Sequence, residues 1–332
     1  MLLRINFGLW GKDCDKFIIL KIYLKMQSFC FIIKSILIKF ALFYIIIIHI
    51  CEFLKRFYEK IFRKWQNSMS FFKNATRIVI IVGSSTLTHS SGRLNLRRIE
   101  CLAKTLSDLK NADKEIILVS SGAVSAGIAK AGLGHRPTSL EEKQAMASIG
   151  QSELMKIYDR FFSDYGHTVA QILMTRDVID NPVRRTAAEN TFNTLLRMGC
   201  IPIVNENDAV STDELVQFGG NDILSAHVAN LCHADLLVNL SDIDGLFDSD
   251  PRKNPDARLV DVVEDIDAVL SFAGGAGTDR GTGGMEAKLT AAKMVTSNGI
   301  PMFIMGGSDP EILYRLLDGE KVGTYFAACK KR

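Results

Sequence analysis

The run Ile78-Val79-Ile80-Ile81-Val82, leading straight into Gly83-Ser84-Ser85, constrains the fold more than any other part of the chain. β-Branched residues in unbroken succession favour an extended backbone and offer no polar face. The strand they form must therefore be covered on both sides. Comparable runs at Glu115–Ser120, Thr168–Met174, Ile201–Asn205, Leu236–Ser241 and Pro301–Met305 alternate with stretches of helical character. Those include Leu96–Lys110, Leu140–Phe162, Arg184–Met198, Asn221–Cys232 and Glu286–Asn298. Strands separated by helices of this length predict βαβ units and an α/β fold built on a mainly parallel sheet. No internal repeat is evident.

This pattern starts only at Arg77, and composition divides the chain near Met69. Residues 1–68 carry twelve Lys/Arg and four acids, a net of +8, while residues 69–332 hold 28 basic and 33 acidic groups, a net of −5. The first piece is rich in Ile, Phe and Lys and lacks Pro. A helix that crosses a bilayer needs about 20 consecutive apolar residues, and the longest uncharged run here, Phe40 to Cys51, is too short alone. Extending it back to Gln27 admits Lys34 and Lys39, each costing roughly 2.5–3.5 kcal/mol at a helix centre. Basic residues flank both ends, and no small-residue cleavage site follows. Three readings remain for this hydrophobic, basic extension: a membrane anchor, a disordered or partner-binding segment, or translated sequence upstream of a start at Met69. Met69-Ser70-Phe71-Phe72-Lys73-Asn74-Ala75 leads directly into the first strand and favours the third. Membrane contact is expected only if the extension is real. Residues 69–332 have the mixed composition of an enzyme domain.

A whole-chain charge of +3 gives no case for nucleic-acid binding. Cys14, Cys30, Cys51, Cys101, Cys200, Cys232 and Cys329 form no paired or metal-ligand spacing. Reduced thiols and a cytoplasmic location are expected. His89, His135, His167, His227 and His233 share no spacing that suggests a metal, and Asp242-Ile243-Asp244-Gly245 lacks the further carboxylates of a calcium loop.

Ligands of parallel sheets bind beyond the carboxyl ends of the strands. Four of the expected strands end in small or polar residues: Gly83-Ser84-Ser85, Ser120-Ser121-Gly122-Ala123, Asn205-Glu206-Asn207-Asp208 and Ser241-Asp242-Ile243-Asp244-Gly245. Each alone reads as a turn or a cap; four on one edge favour a site. Further on, Gly281-Thr282-Gly283-Gly284-Met285-Glu286-Ala287-Lys288 departs from a Walker A loop because Ala287 precedes Lys288 and Leu289 follows it. A Gly-rich turn feeding a helix can still offer backbone N–H groups to a phosphate, with Lys288 one turn in.

In order and spacing these stretches, with Gly220-Asn221-Asp222, resemble the glutamate 5-kinases of the amino acid kinase family, from about Arg77 to Phe326. The resemblance implies an αβα sandwich whose N-terminal half holds an amino acid and whose C-terminal half holds ATP. It implies transfer of the γ-phosphoryl group of ATP to the side-chain carboxylate of L-glutamate, giving L-glutamyl 5-phosphate, the first step toward proline. By position Ser121, Asp208 and Asn221 would bind glutamate. Gly83, Ser241 and Asp242, with Thr282, Gly283, Gly284, Met285, Glu286, Ala287 and Lys288, would bind ATP. Asp208 suits the substrate ammonium, while Ser121 and Asn221 suit its carboxylates. Lys288 would neutralise the moving phosphoryl group and Asp222 would orient that lysine, with Mg²⁺ bridging the phosphates through unassigned ligands. A homo-oligomer, with proline as a feedback inhibitor, is expected from the same likeness. The chain ends too soon after Phe326 for the RNA-binding-like C-terminal module that many relatives carry.

Two positions depart from the family pattern. Ile81 stands where a lysine is usual, two residues before Gly83, and Gly220 stands where an aspartate is usual. Losing one electrostatic donor typically costs on the order of 10²–10³ in rate. Arg77 is too far to substitute, about 13 Å along a strand at ~3.3 Å per residue. Reduced activity is therefore expected. The alternatives are a non-catalytic protein that binds glutamate, proline or ATP, and another member of the family acting on a different acceptor.

Overall fold

The structure is a computed structural model that describes residues 23–29, 31, 34, 47–56, 72–89, 91–210, 220–273 and 284–329. The chain divides into two units, Met1–Arg63 and Lys64–Arg332, so the division falls slightly before the compositional break at Met69. In the first unit, residues 23–29 and 47–56 are helical. Among the described residues no helix is long and apolar enough to cross a membrane.

The second unit runs β1 (Arg77–Val82), α1 (Ser84–Leu87), α2 (Leu96–Asn111), β2 (Glu115–Ser120), α3 (Ala123–Ala131), α4 (Leu140–Asp164), β3 (Val169–Met174), α5 (Arg176–Asp180) and α6 (Pro182–Arg197). It continues with β4 (Ile201–Glu206), α7 (Asn221–Leu231), β5 (Leu236–Ser241), β6 (Val262–Val263), α8 (Ile266–Ala273), α9 (Met285–Thr296), β7 (Met302–Gly306), α10 (Ile312–Leu317) and β8 (Thr324–Phe326). The strands form one sheet in the order β3-β4-β2-β1-β5-β7-β8-β6. Every pairing is parallel except β7 with β8. The α/β class and mainly parallel sheet expected from the sequence are therefore present, and the six expected strands agree within a residue at each end.

Alternate side chains of each strand enter opposite cores. Ile78, Ile80 and Val82 pack with α2, α4 and α10, whereas Val79 and Ile81 pack with α6, α7 and α9. The unbroken apolar run of β1 thus serves both layers, and burying each such side chain stabilises the fold by roughly 1.5–3 kcal/mol. Helix starts are set locally. The Asn95 side chain caps α2 by accepting from the Arg98 N–H. Asn181 caps α6, with Pro182 in the first turn. Ser139 caps α4 by accepting from the Glu142 N–H, and Glu142 accepts in turn from the Thr138 N–H.

One contact sets the position of α4. A Cβ added at Gly150 would lie 1.7 Å from the Ala123 carbonyl oxygen and 2.4 Å from the Gly127 nitrogen. A Cβ at Gly127 would lie 1.9 Å from the Met146 carbonyl oxygen. The two helices therefore meet backbone to backbone just beyond the carboxyl end of β2.

Candidate active site

The polar ends of β2, β4 and β5 converge on the start of α7. Asn221, its first residue, donates from Nδ2 to Ser121 Oγ at 2.8 Å, to the Ser120 carbonyl at 3.0 Å and to Asn205 Oδ1 at 3.2 Å. Asn205, near the end of β4, also accepts at Oδ1 from the Glu206 N–H at 2.9 Å. Its Nδ2 donates to Gln151 Oε1 of α4, again at 2.9 Å. Ser120 Oγ is 2.8 Å from the hydroxyl of fully buried Tyr158, seven residues along the same helix. Burial pushes the Tyr158 phenol far above its ordinary value, so it is neutral at physiological pH.

Asp222, the next residue of α7, belongs to a second set. Lys288 Nζ of α9 lies 3.1 Å from Asp222 Oδ2 and 3.4 Å from Oδ1. Asn239 Nδ2, from β5, donates to Asp222 Oδ1 at 2.6 Å. All three side chains are buried. A buried charge pair persists only when its remaining polar atoms are also satisfied, and Asn239 supplies part of that. Two consecutive residues of α7 thus reach two different groups. Gly220, just ahead of them, has φ 105° and ψ 169°, a region that is essentially glycine-only. Glycine at this position permits this entry into α7.

Ile81 is 2 % exposed and pairs in register with Asn239. Its side chain belongs to the core that contains α7 and α9, the face that carries Asp222 and Lys288. Arg77 lies at the other end of β1, bonded to Glu115 at 2.7 Å, to Asn193 at 3.0 Å and to the Cys232 carbonyl at 2.5 Å. It does not take the place of a lysine at position 81.

Asp208 sits in the turn after β4, partly buried, and desolvation raises its carboxyl above the ordinary value. Among the described residues it joins neither hydrogen-bonded set. Gly83 follows β1 and precedes α1. Ser241 ends β5, where its hydroxyl donates to Asp242 Oδ1 at 3.1 Å and its carbonyl accepts from the Gly307 N–H at 2.6 Å. Thr282 and Gly283 lie outside the described residues. Among the described residues Gly284 precedes α9 without a side-chain cap, and a Cβ there would meet nothing within 4 Å. Met285, Glu286, Ala287 and Lys288 form the first turn of that helix.

These features fit a nucleotide. A helix start without a side-chain cap among the described residues leaves N–H groups for phosphate oxygens, with an ammonium one turn in. They also fit a magnesium ion carried by those phosphates, since magnesium commonly takes few protein ligands. Among the described residues no three His, Cys, Asp or Glu side chains converge as a metal cage.

In the sequence Asn205 stands out only as part of the Asn205-Glu206-Asn207-Asp208 corner, and neither Gln151 nor Asn239 is singled out as a site residue. Asn239 carries a legible signal, a lone amide inside the otherwise apolar Leu236-Leu237-Val238-Asn239-Leu240. Gln151 carries little, since polar residues are ordinary in a long amphipathic helix.

The sequence profile of the amino acid kinase family matches residues 76–306. A glutamate 5-kinase of Clostridium perfringens (strain 13 / Type A) is 52% identical over 262 residues, covering 78% of this chain and 97% of that protein. A glutamate 5-kinase of Listeria monocytogenes serovar 1/2a is 50% identical over 263 residues, covering 78% and 95%. Among solved structures, carbamate kinase from Giardia lamblia bound to AMP-PNP is 16% identical with a TM-score of 0.56, covering 77% of this chain and 99% of that one. This last likeness is one of fold. The chain belongs to the amino acid kinase family, in the branch formed by the glutamate 5-kinases.

Proposed function

We propose that this chain transfers the γ-phosphoryl group of ATP to the side-chain carboxylate of L-glutamate, giving L-glutamyl 5-phosphate, the first step of proline biosynthesis. The observation that carries the assignment is the start of α7. Asn221 bonds Ser121 and Asp222 holds Lys288, so an acceptor-binding set and a cation for the moving phosphoryl are one residue apart.

The glutamate carboxylate is ionised at neutral pH and needs no general base. Rate then comes from alignment and from charge stabilisation of a largely dissociative transfer. Asp208 and Asn221 with Ser121 hold the amino acid. Lys288, oriented by Asp222 and Asn239, neutralises charge on the phosphoryl oxygens. The first turn of α9 and the Ser241-Asp242 corner hold the nucleotide, with Gly83 beside the phosphates. These residues leave room for a Mg²⁺ ion held mainly by the nucleotide, which would supply further positive charge to the phosphates.

Ile81 puts hydrocarbon where the family pattern has a second ammonium, so turnover is expected to be reduced. The same residue favours the second reading, a protein that binds glutamate and nucleotide without transfer. Residues 1–68 are taken as dispensable, while homo-oligomer formation and inhibition by proline rest on the family resemblance alone. A coupled assay of ADP release, with glutamate varied at saturating Mg-ATP, tests the assignment. Glutamate-dependent release supports it. Calorimetric glutamate binding with no release supports the binding protein, and release driven only by another acceptor refutes both.

A further inference from the structure

The amide chain Gln151–Asn205–Asn221 has only one self-consistent orientation. The Glu206 N–H can only donate, so the Asn205 atom facing it is the oxygen. Asn205 must then present its NH₂ to Gln151, which fixes Gln151 Oε1 as acceptor. Asn221 faces that Asn205 oxygen and the Ser120 carbonyl, so it points nitrogen at both and at Ser121 Oγ. Its two N–H hydrogens are thereby committed to protein acceptors. Two groups are left to address a ligand. Among the described residues Asn221 Oδ1 has no donor, and Ser121 Oγ, already accepting, keeps its own hydrogen.

We propose that Gln151 is a positioning residue that works through Asn205. It holds the Asn221 amide so that its carbonyl oxygen meets the ammonium of the amino acid and leaves the Ser121 hydroxyl to donate to a carboxylate. This departs from the expectation that Asn221 donates to a carboxylate, and it rests on glutamate being the acceptor. Without the Gln151 acceptor, Asn205 keeps its oxygen on the Glu206 N–H but its NH₂ loses its partner, so the tilt of the amide that Asn221 faces is no longer held. Asn221 is then steadied by Ser120 and Ser121 alone, and its carbonyl oxygen is no longer aimed at the ammonium.

Simple stability does not explain the arrangement. Gln151 is 8 % exposed, yet its Nε2 has no partner among the described residues, an unusual state for a buried donor. The close contact at Gly127 and Gly150 holds the neighbouring residue of α4 against the ends of β2 and β4. A side chain placed that firmly with half its amide unpaired has its other half, the acceptor, to account for it.

Gln151→Met keeps length and volume but removes the acceptor, whereas Gln151→Glu keeps an acceptor for Asn205. Binding of L-glutamate and, separately, of the non-hydrolysable nucleotide AMP-PNP is measured by calorimetry on the full chain, so slow turnover does not matter. For Gln151→Met the glutamate Kd should rise at least tenfold and the nucleotide Kd less than twofold, while Gln151→Glu should return glutamate to within about threefold of wild type. Unchanged glutamate affinity in Gln151→Met overturns the proposal. So does parallel loss of both ligands in Gln151→Met that Gln151→Glu does not repair, which marks a purely structural residue. If the wild-type chain itself binds no glutamate, the substrate assignment fails, and the role given to Gln151 falls with it.

Discussion

The two ends of the central sheet use similar residues to different effect. At the amino ends of the strands, polar groups saturate one another. Arg77 is bonded to Glu115, Asn193 and the Cys232 carbonyl, and Asp235 Oδ2 accepts from the Thr76 and Arg77 N–H groups. Lys114 Nζ donates to the carbonyls of Lys73 and Ala75. At the carboxyl ends, Asn221 and Asp222 are tied into networks, but among the described residues Asp208 remains outside them and the start of α9 has no side-chain cap. One end consumes its hydrogen-bonding capacity internally, while the other keeps part of it for a ligand. In a parallel sheet this asymmetry separates stability from chemistry along the strand axis.

Substitutions at the two ends should therefore fail in different ways. The largest effect is expected from Lys288→Met, with a fall in kcat of about 10²–10³-fold for loss of one electrostatic donor. It should also destabilise the fold by about 3–5 kcal/mol, because Asp222 is left buried without its partner. Adding Asp222→Asn should return most of that stability, read by chemical denaturation, and none of the rate. Recovery of rate in the double variant would remove Lys288 from the chemistry.

Asp208→Asn comes next. Replacing a charge-assisted bond to the ammonium should raise the glutamate KM about 10–100-fold, leaving the ATP KM unchanged. Because burial raises the Asp208 carboxyl, the wild type should lose glutamate affinity on acidification at a higher pH than an ordinary aspartate near 3.9 would cause. The binding-competent form is the ionised one, so affinity is present above the shifted value and lost below it. The Asp208→Asn profile should be flat through that range. For folding the sign is opposite: a raised native value makes stability decline as pH rises between the unfolded and folded values.

Ile81→Lys should increase kcat by at least tenfold, since its side chain shares a sheet face with Asp222 and Lys288. An unchanged rate would show that the missing ammonium is not what limits turnover. The smallest effect belongs to the opposite edge. Arg77→Met should cost about 1–2 kcal/mol of stability, given its partly solvated ion pair, with kcat and both KM values unaltered. A kinetic defect there would dissolve the contrast between the ends.

Much of this architecture is legible in the sequence because the strands are extreme. Ile78 to Val82 has no polar residue, so its burial on both faces follows from composition alone. The same is nearly true of Leu236–Ser241. Helix α3 is harder to read: Ala123-Val124-Ser125-Ala126-Gly127-Ile128-Ala129-Lys130-Ala131 has too few large apolar residues for a clear period. Its smallness is instead what permits the approach of α4. At the site, Ser121, Asn221, Asp222 and Lys288 stand at strand ends or helix starts, where polar residues already suggest ligands. Asn205 and Gln151 are separated by 54 positions in the chain, and tertiary packing of α4, which meets α3 at Gly127 and Gly150, unites them. Local pattern has no term for that.

That crossing also redistributes mutational risk. At Gly127 and Gly150 a single added methyl would displace a helix by the width of an atom, and with it the amides around the amino acid. A change ranked among the gentlest by chemistry could then silence the enzyme as surely as deleting a polar group of the site, although both glycines sit where two helices meet.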